Sequence, residues 1–280
     1  MKLEKNTADK PIGIFDSGVG GLTVLKAIHA LLPNESTIYL GDTARVPYGI
    51  RSPETVTKYS LENSSFLIEK GIKLLIIACN TASAISLEVI KQTFDVPALG
   101  VIDSGARAAV SATRNGRIGV IGTETTIKSG AYRRAIQSFD DSAVVFERPC
   151  PLFVPLVEEG WLDIDVTQLV AARYLAGLKQ SMIDTLVLGC THYPLLKNVI
   201  RAVMGDGVTL IDSAIEKSLN IRQLLSDSDI LKKDSIGTFR KYYVTDSPER
   251  FQKIGKRFLE DPIEDITKIE VTSLETAVAV

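Results

Sequence analysis

Short apolar runs recur along this chain between stretches of helical pattern: Ile12 to Phe15, Thr37 to Leu40, Leu74 to Ala78, Ile118 to Ile121, Val144 to Phe146, Leu186 to Leu188 and Val208 to Ile211. Continuous apolar runs separated by helices suit parallel strands, because helices cover both faces of such a sheet and leave no polar side. The pattern predicts an α/β fold. Helix signals fit between the runs. Ser52-Pro53-Glu54 offers an N-cap, a proline at the first helical position and an early acid. Val56, Tyr59, Asn63, Phe66 and Lys70 follow at helical spacing, and Gly71 can close the helix. Near the C-terminus, Asp246-x-x-Glu249 reads as a capping box ahead of Phe251, Ile254 and Phe258.

The runs also repeat. Leu75-Ile76-Ile77-Ala78-Cys79-Asn80-Thr81 matches Leu186-Val187-Leu188-Gly189-Cys190-Thr191-His192 at an offset of 111. Gly13-Ile14-Phe15-Asp16-Ser17 answers Gly119-Val120-Ile121-Gly122-Thr123 at 106, and Ile102-Asp103-Ser104 answers Ile211-Asp212-Ser213 at 109. Three ordered matches near one offset predict two similar, pseudo-symmetric α/β halves with mostly parallel sheets. The loops at the strand C-termini would then face one another across a cleft, the usual place for a ligand in α/β proteins. Cys79 and Cys190 would converge there from opposite walls.

Composition sets bounds on this reading. At 280 residues, 45% hydrophobic and 24% charged, the chain has the length of two modest domains and material for a real core. A net charge of -2 and a pI near 5.8 give no broad attraction for nucleic acid or an anionic membrane, so an acidic ligand must be held locally. The longest apolar stretches, such as Leu74 to Cys79, fall far short of the roughly 20 residues of a membrane span. The opening MKLEKNTADK is too polar for a secretory signal and reads as a frayed leader. Three widely separated cysteines fit neither a disulfide scaffold nor a zinc site; reduced thiols in a cytoplasm are expected.

Each of the paired cysteines ends an apolar strand and precedes a predicted helix. A thiol there meets free backbone N–H groups and the positive end of a helix dipole, both of which favour thiolate, and the same N–H groups could hold an α-carboxylate. Two such thiols on opposite sides of one Cα suit a stereoinversion, one removing a proton and the other delivering one to the opposite face. Against this stands the plainer alternative that a cysteine at the end of a buried strand is a small hydrophobe. Two equivalent frames favour function. Cys150 has no partner frame and reads as structural. His192 adjoins Cys190 and can assist proton transfer or bond a substrate, whereas His29 reads as a helix-surface or packing residue. Asp16-Ser17-Gly18-Val19-Gly20-Gly21 is compatible with a phosphate or dinucleotide loop, or with a tight turn capped by Asp16; it matches neither the P-loop pattern nor G-x-G-x-x-G. Pro47-Tyr48-Gly49 is a turn by composition.

In order and spacing, GIFDSGVGG, GDTARVPYG, IIACNTAS, PLFVPLVEEG and LGCTHYP resemble the glutamate racemases of the aspartate/glutamate racemase family, over nearly the whole chain. The resemblance implies interconversion of L- and D-glutamate without a cofactor, supplying D-glutamate for peptidoglycan. It implies Cys79 and Cys190 as the proton donor/acceptor pair, with Asp16, Glu158 and His192 assisting. Asp16, Ser17, Pro47, Tyr48, Gly49, Asn80, Thr81, Thr191 and His192 become the expected substrate contacts. Glu159 adjoins Glu158, and either could face the cleft. The family also implies a first domain of residues 1–102 plus 213–280 and a second of 103–212, commonly assembled as a homodimer. No metal, nucleic acid or membrane partner is expected.

Three further readings of the residues stay open. A racemase for another amino acid, such as aspartate, would use the same thiols. A thiol hydrolase with Cys190 as nucleophile and His192 as base would leave Cys79 unexplained. Outside enzymes, a two-lobed binding protein with structural cysteines fits the same pattern.

Overall fold

A computed structural model describes residues 7–276. Every predicted run forms a strand: β1 (Ile12–Asp16), β2 (Thr37–Gly41), β3 (Leu74–Ile77), β5 (Arg117–Gly122), β6 (Val144–Pro149), β7 (Thr185–Gly189) and β8 (Thr209–Ile211). Three strands have no counterpart among the runs: β4 (Ala98–Gly100), β9 (Arg240–Val244) and β10 (Ile266–Lys268). β4 and β10 are three residues long, and β9 carries Arg240 and Lys241 exposed while Tyr242 and Val244 are buried. Such a strand alternates in burial and gives no continuous apolar run.

Two wholly parallel sheets result, ordered β10-β9-β2-β1-β3-β4 and β6-β5-β7-β8. The segment β2-β1-β3-β4 of the first has the same order as the whole of the second. The sequence echo therefore has a structural counterpart: β1 answers β5, β3 answers β7, and the Ile102 and Ile211 motifs follow or end the equivalent strands β4 and β8. The helices between them are α1 (Leu22–Leu31), α2 (Pro53–Glu69), α3 (Asn80–Thr93), α4 (Ile102–Ala112), α5 (Glu124–Lys128), α6 (Ala131–Phe139), α7 (Phe153–Glu159), α8 (Asp165–Gln180), α9 (Lys197–Met204), α10 (Ser213–Asp227), α11 (Pro248–Leu259) and α12 (Val271–Thr276). Among the described residues, no helix is long and apolar enough to cross a membrane.

Helix ends mostly follow the sequence. Ser52 caps α2 by accepting from the Thr55 N–H, Pro53 occupies the first position, and Gly71, at φ +75°, follows its end. At α11 the cap is Ser247 rather than Asp246: Pro248 fixes the first helical position, and Ser247 Oγ accepts from Arg250 N. The expected frayed leader is corrected from Thr7 onward. Thr7 is buried, and Lys73 Nζ donates to the Ala8 carbonyl at 2.6 Å. The leader's residues 1–6 lie outside the described residues.

Candidate active site

Both sheets deliver a cysteine at a strand C-terminus. Cys79 leaves β3 and is the N-cap residue of α3. Cys190 leaves β7, but no α-helix starts directly after it, as the sequence had suggested; a 3-10 turn, Tyr193–Leu196, intervenes before α9. Pro194 has no N–H and suits the start of such a turn. Both thiols are buried, at 5% and 7% exposure, and the residues beside Cys79 bond to the second sheet's side, Asn80 to Tyr132 and Thr81 to Thr123. A Cβ on Gly20, in the turn after β1, would collide with Thr191 Oγ1 and lie 2.5 Å from His192 Nδ1. That close approach explains a glycine at this position.

Asp16 ends β1, fully buried. Its Oδ2 accepts from Gly18 N at 3.0 Å, while Oδ1 has no hydrogen-bond partner among the described residues. Burial raises its carboxyl above the ordinary range, against the pull of His192 and the Gly18 and Gly21 N–H groups. Asp16 thus closes the turn within itself, while the N-cap residue of α1 is Gly21, without a side-chain cap. Ser17 Oγ lies 3.8 Å from Cys79 Sγ. The expected thiolate preference is corrected at Cys79. Burial, reinforced by the Asp16 charge, pushes its thiol up to about 12, outweighing the Ala82 N–H and Ser17. The charge of Cys190 also raises it, so the site disfavours two thiolates at once.

On the opposite wall, His192 Nδ1 lies 3.9 Å from Cys190 Sγ and Nε2 lies 3.2 Å from Glu158 Oε1. Burial alone would depress the imidazole, but Cys190 and Glu158 raise it to about 10. Despite burial, His192 and Arg250 lower the Glu158 carboxyl. Glu158 meets the histidine; Glu159 is exposed. Phe258 of α11 packs edge-on against the His192 ring, centroids 5.3 Å apart.

The other expected contacts gather nearby with one qualification. Asn80 Oδ1 accepts from Tyr132 Oη at 2.6 Å, and the Thr191 carbonyl accepts from Thr23 Oγ1 at 3.2 Å. Gly49 is pressed against Thr123, where a Cβ would lie 2.5 Å from the threonine Cβ. Pro47 follows a cis peptide bond and is exposed. Tyr48 is buried, but its hydroxyl donates to Asp42 and accepts from Asn63 Nδ2, within a network that also holds Arg45 and Glu62. It can offer a ligand its backbone rather than its hydroxyl.

Sequence reasoning missed Thr123 and Thr126, whose hydroxyls form a mutual cluster with Thr81 at 2.9 to 3.0 Å. The echo contained the signal, since the offset of 106 pairs Thr123 with Ser17. It also missed Tyr132 and the contribution of α11. Cys150 is buried, Tyr193 donates to its carbonyl, and burial pushes its thiol up to about 12. His29 is buried, its Nε2 2.9 Å from Thr37 Oγ1, a packing role rather than a surface one. Among the described residues no group of three or more His, Cys, Asp or Glu is arranged to hold a metal ion.

Paired α/β halves of the same strand order, each ending a strand in a buried thiol, define a class of duplicated α/β protein with two facing cysteines. The Asp/Glu/Hydantoin racemase family model matches residues 12–216. The glutamate racemase of Geobacter metallireducens is 54% identical over 262 residues, covering 94% of this chain and 97% of that protein. The crystal structure of glutamate racemase from Francisella tularensis in complex with D-glutamate is 37% identical, with a TM-score of 0.90 over 95% of this chain and 99% of that one. The Thermus thermophilus glutamate racemase, in complex with beta-chloro-D-alanine, is 40% identical with a TM-score of 0.87 over 96% of this chain and 100% of that one. The chain belongs to the Asp/Glu/hydantoin racemase family.

Proposed function

We propose that this chain is a glutamate racemase, an isomerase that interconverts L- and D-glutamate by a two-thiol 1,1-proton transfer without a cofactor. The observation that carries the mechanism is the pair of buried thiols at equivalent strand ends of two sheets with the same strand order. In one direction a thiolate at one wall takes the Cα proton and the neutral thiol at the other gives its own proton to the opposite face. The reverse direction exchanges their roles, so one thiol proton is conserved through each turnover. The mutual charge effect supports this sharing, since it favours one protonated thiol.

Asp16 and Ser17 serve Cys79, and His192 with Glu158 serves Cys190. Asn80, Thr81 and Thr191, with the backbone from Pro47 to Gly49, hold the substrate. We assign residues 1–102 plus 213–280 to one domain and 103–212 to the other, with the active site in the cleft between them. A cytoplasmic homodimer supplying D-glutamate for peptidoglycan is the expected setting.

The test is polarimetry of purified protein with L-glutamate and no added cofactor, with L-aspartate in parallel. Loss of rotation with glutamate supports the reading. Loss with aspartate alone transfers it to another amino acid, and a trapped acyl-enzyme on Cys190 would favour the hydrolase.

A further inference from the structure

Helix α11 belongs to the segment that joins the first sheet, yet three of its residues reach the second half at one point. Phe258 packs on His192, and Arg250 Nη2 lies 3.9 Å from Glu158 Oε2. Arg257 Nη1 donates to the Glu158 backbone carbonyl at 2.7 Å. The Arg257 guanidinium also closes over Gly160, where a Cβ would lie 2.7 Å from Cζ.

The position of these contacts matters. Helix α7 is only seven residues long and ends at Gly160 in the left-handed region, φ +79°. The carbonyls of a helix's last turn lack intrahelical donors, and that of Glu158 is among them. Arg257 supplies a donor from the other half. The same residue's carboxylate, a few bonds away, accepts from His192 Nε2.

We propose that Arg257 is a positioning residue for the Cys190 side of the reaction: by capping the Glu158 carbonyl and seating on the Gly160 turn, it fixes the carboxylate that orients His192. This rests on the two-thiol reading. Cys79 has Ser17 Oγ as its side-chain neighbour, in the first half, whereas His192 meets Cys190 directly and Glu158 meets His192, so the clamp acts chiefly on one thiol.

That asymmetry makes the proposal testable. L- and D-glutamate have equal free energies, so kcat/KM for racemisation must stay equal in the two directions in every variant. A probe that needs one base only separates the thiols. In 3-chloroglutamate, removal of the Cα proton expels chloride from Cβ; the enamine tautomerises and hydrolyses to 2-oxoglutarate and ammonia. Each Cα enantiomer is assayed by the 2-oxoglutarate formed.

Cys190→Ser should abolish elimination from one enantiomer and spare the other. Arg257→Ala should slow that same enantiomer about tenfold, in line with a misplacement well below 1 Å, and change the other by less than about twofold. Arg257→Lys, which keeps a cationic donor, should recover most of the loss. Arg257 is exposed, so its truncation removes no core packing. Equal slowing of both enantiomers, or of neither, overturns the proposal. If Cys190→Ser itself fails to discriminate the enantiomers, the two-thiol reading falls and the proposal with it.

Discussion

His192 presents Nδ1 to Cys190 Sγ at 3.9 Å, and no histidine stands in the same relation to Cys79, which has Ser17 Oγ at 3.8 Å instead. The two walls are related by topology but not by chemistry. His192→Asn removes the imidazolium beside Cys190 and should lower kcat at least tenfold while the far-ultraviolet circular dichroism is unchanged. Asp16→Asn should also reduce turnover more than it disturbs the fold. Wild-type rates in both directions in both variants would remove these residues from the mechanism.

Gly20 leaves no room for a side chain between the turn after β1 and the Thr191–His192 pair. In Gly20→Ala the new methyl meets the ends of two side chains, Thr191 and His192, so the backbone can persist while those side chains shift. Activity should fall on the order of a hundredfold, the scale expected when reacting groups are displaced by about 1 Å. Steady-state rates alongside a melting curve check this, and a variant with near-normal rate would show that His192 need not sit where it does.

Stability should fall as the solution becomes alkaline. The folded-state value of His192, about 10, lies above its ordinary 6.5. A raised value means the folded protein keeps a proton that the unfolded chain releases. The stabilisation is complete below about 6.5 and is lost as pH rises through about 10. Cys79 acts in the same sense between 9.0 and about 12. Urea midpoints of the wild type should decline from pH 6.5 to 9, and His192→Gln should flatten that slope. An unchanged slope would contradict the imidazolium assignment.

At the opposite end of the first sheet, Lys73 and Glu35 form a buried ion pair at 2.6 Å, and Lys73 also donates to the Ile230 carbonyl at 2.9 Å. Lys73→Met strands the Glu35 carboxylate and should cost about 3–5 kcal/mol. Adding Glu35→Gln removes the stranded charge and should recover a good part of the loss. Denaturant titrations of the three variants test this, and simple additivity would argue against a coupled pair.

The sequence makes some of this fold plain and conceals the rest for physical reasons. Continuous apolar runs such as Leu74 to Ile77 announce strands because both faces of β3 are covered. β9 hides because its residues Arg240 and Lys241 are exposed. The two cysteine frames stand out because each packs a reactive group against an unmistakable strand. Thr123 and Thr126 do not, since a threonine after a strand is first read as a helix cap, which Thr123 also is. Arg257 was invisible, because its role depends on α11 meeting α7 across 99 residues of chain. At Cys79 the helix start that the sequence shows lowers the thiol, but burial, which the sequence does not show, is the larger effect.

The proposed two-thiol mechanism requires Cys79 and Cys190 to act as separate bases on opposite faces of one Cα. In deuterium oxide, each thiol exchanges its proton with solvent between turnovers. D-glutamate formed from L-glutamate should therefore carry solvent deuterium at Cα, while recovered L-glutamate stays largely unlabelled at low conversion, because its proton sits on the first thiol and returns to the same face. The mirrored pattern should hold from D-glutamate. Mass spectrometry of the separated enantiomers makes the measurement. Deuterium in the product and protium in the remaining substrate is the predicted result; appreciable transfer of the substrate's own hydrogen into the product would contradict it.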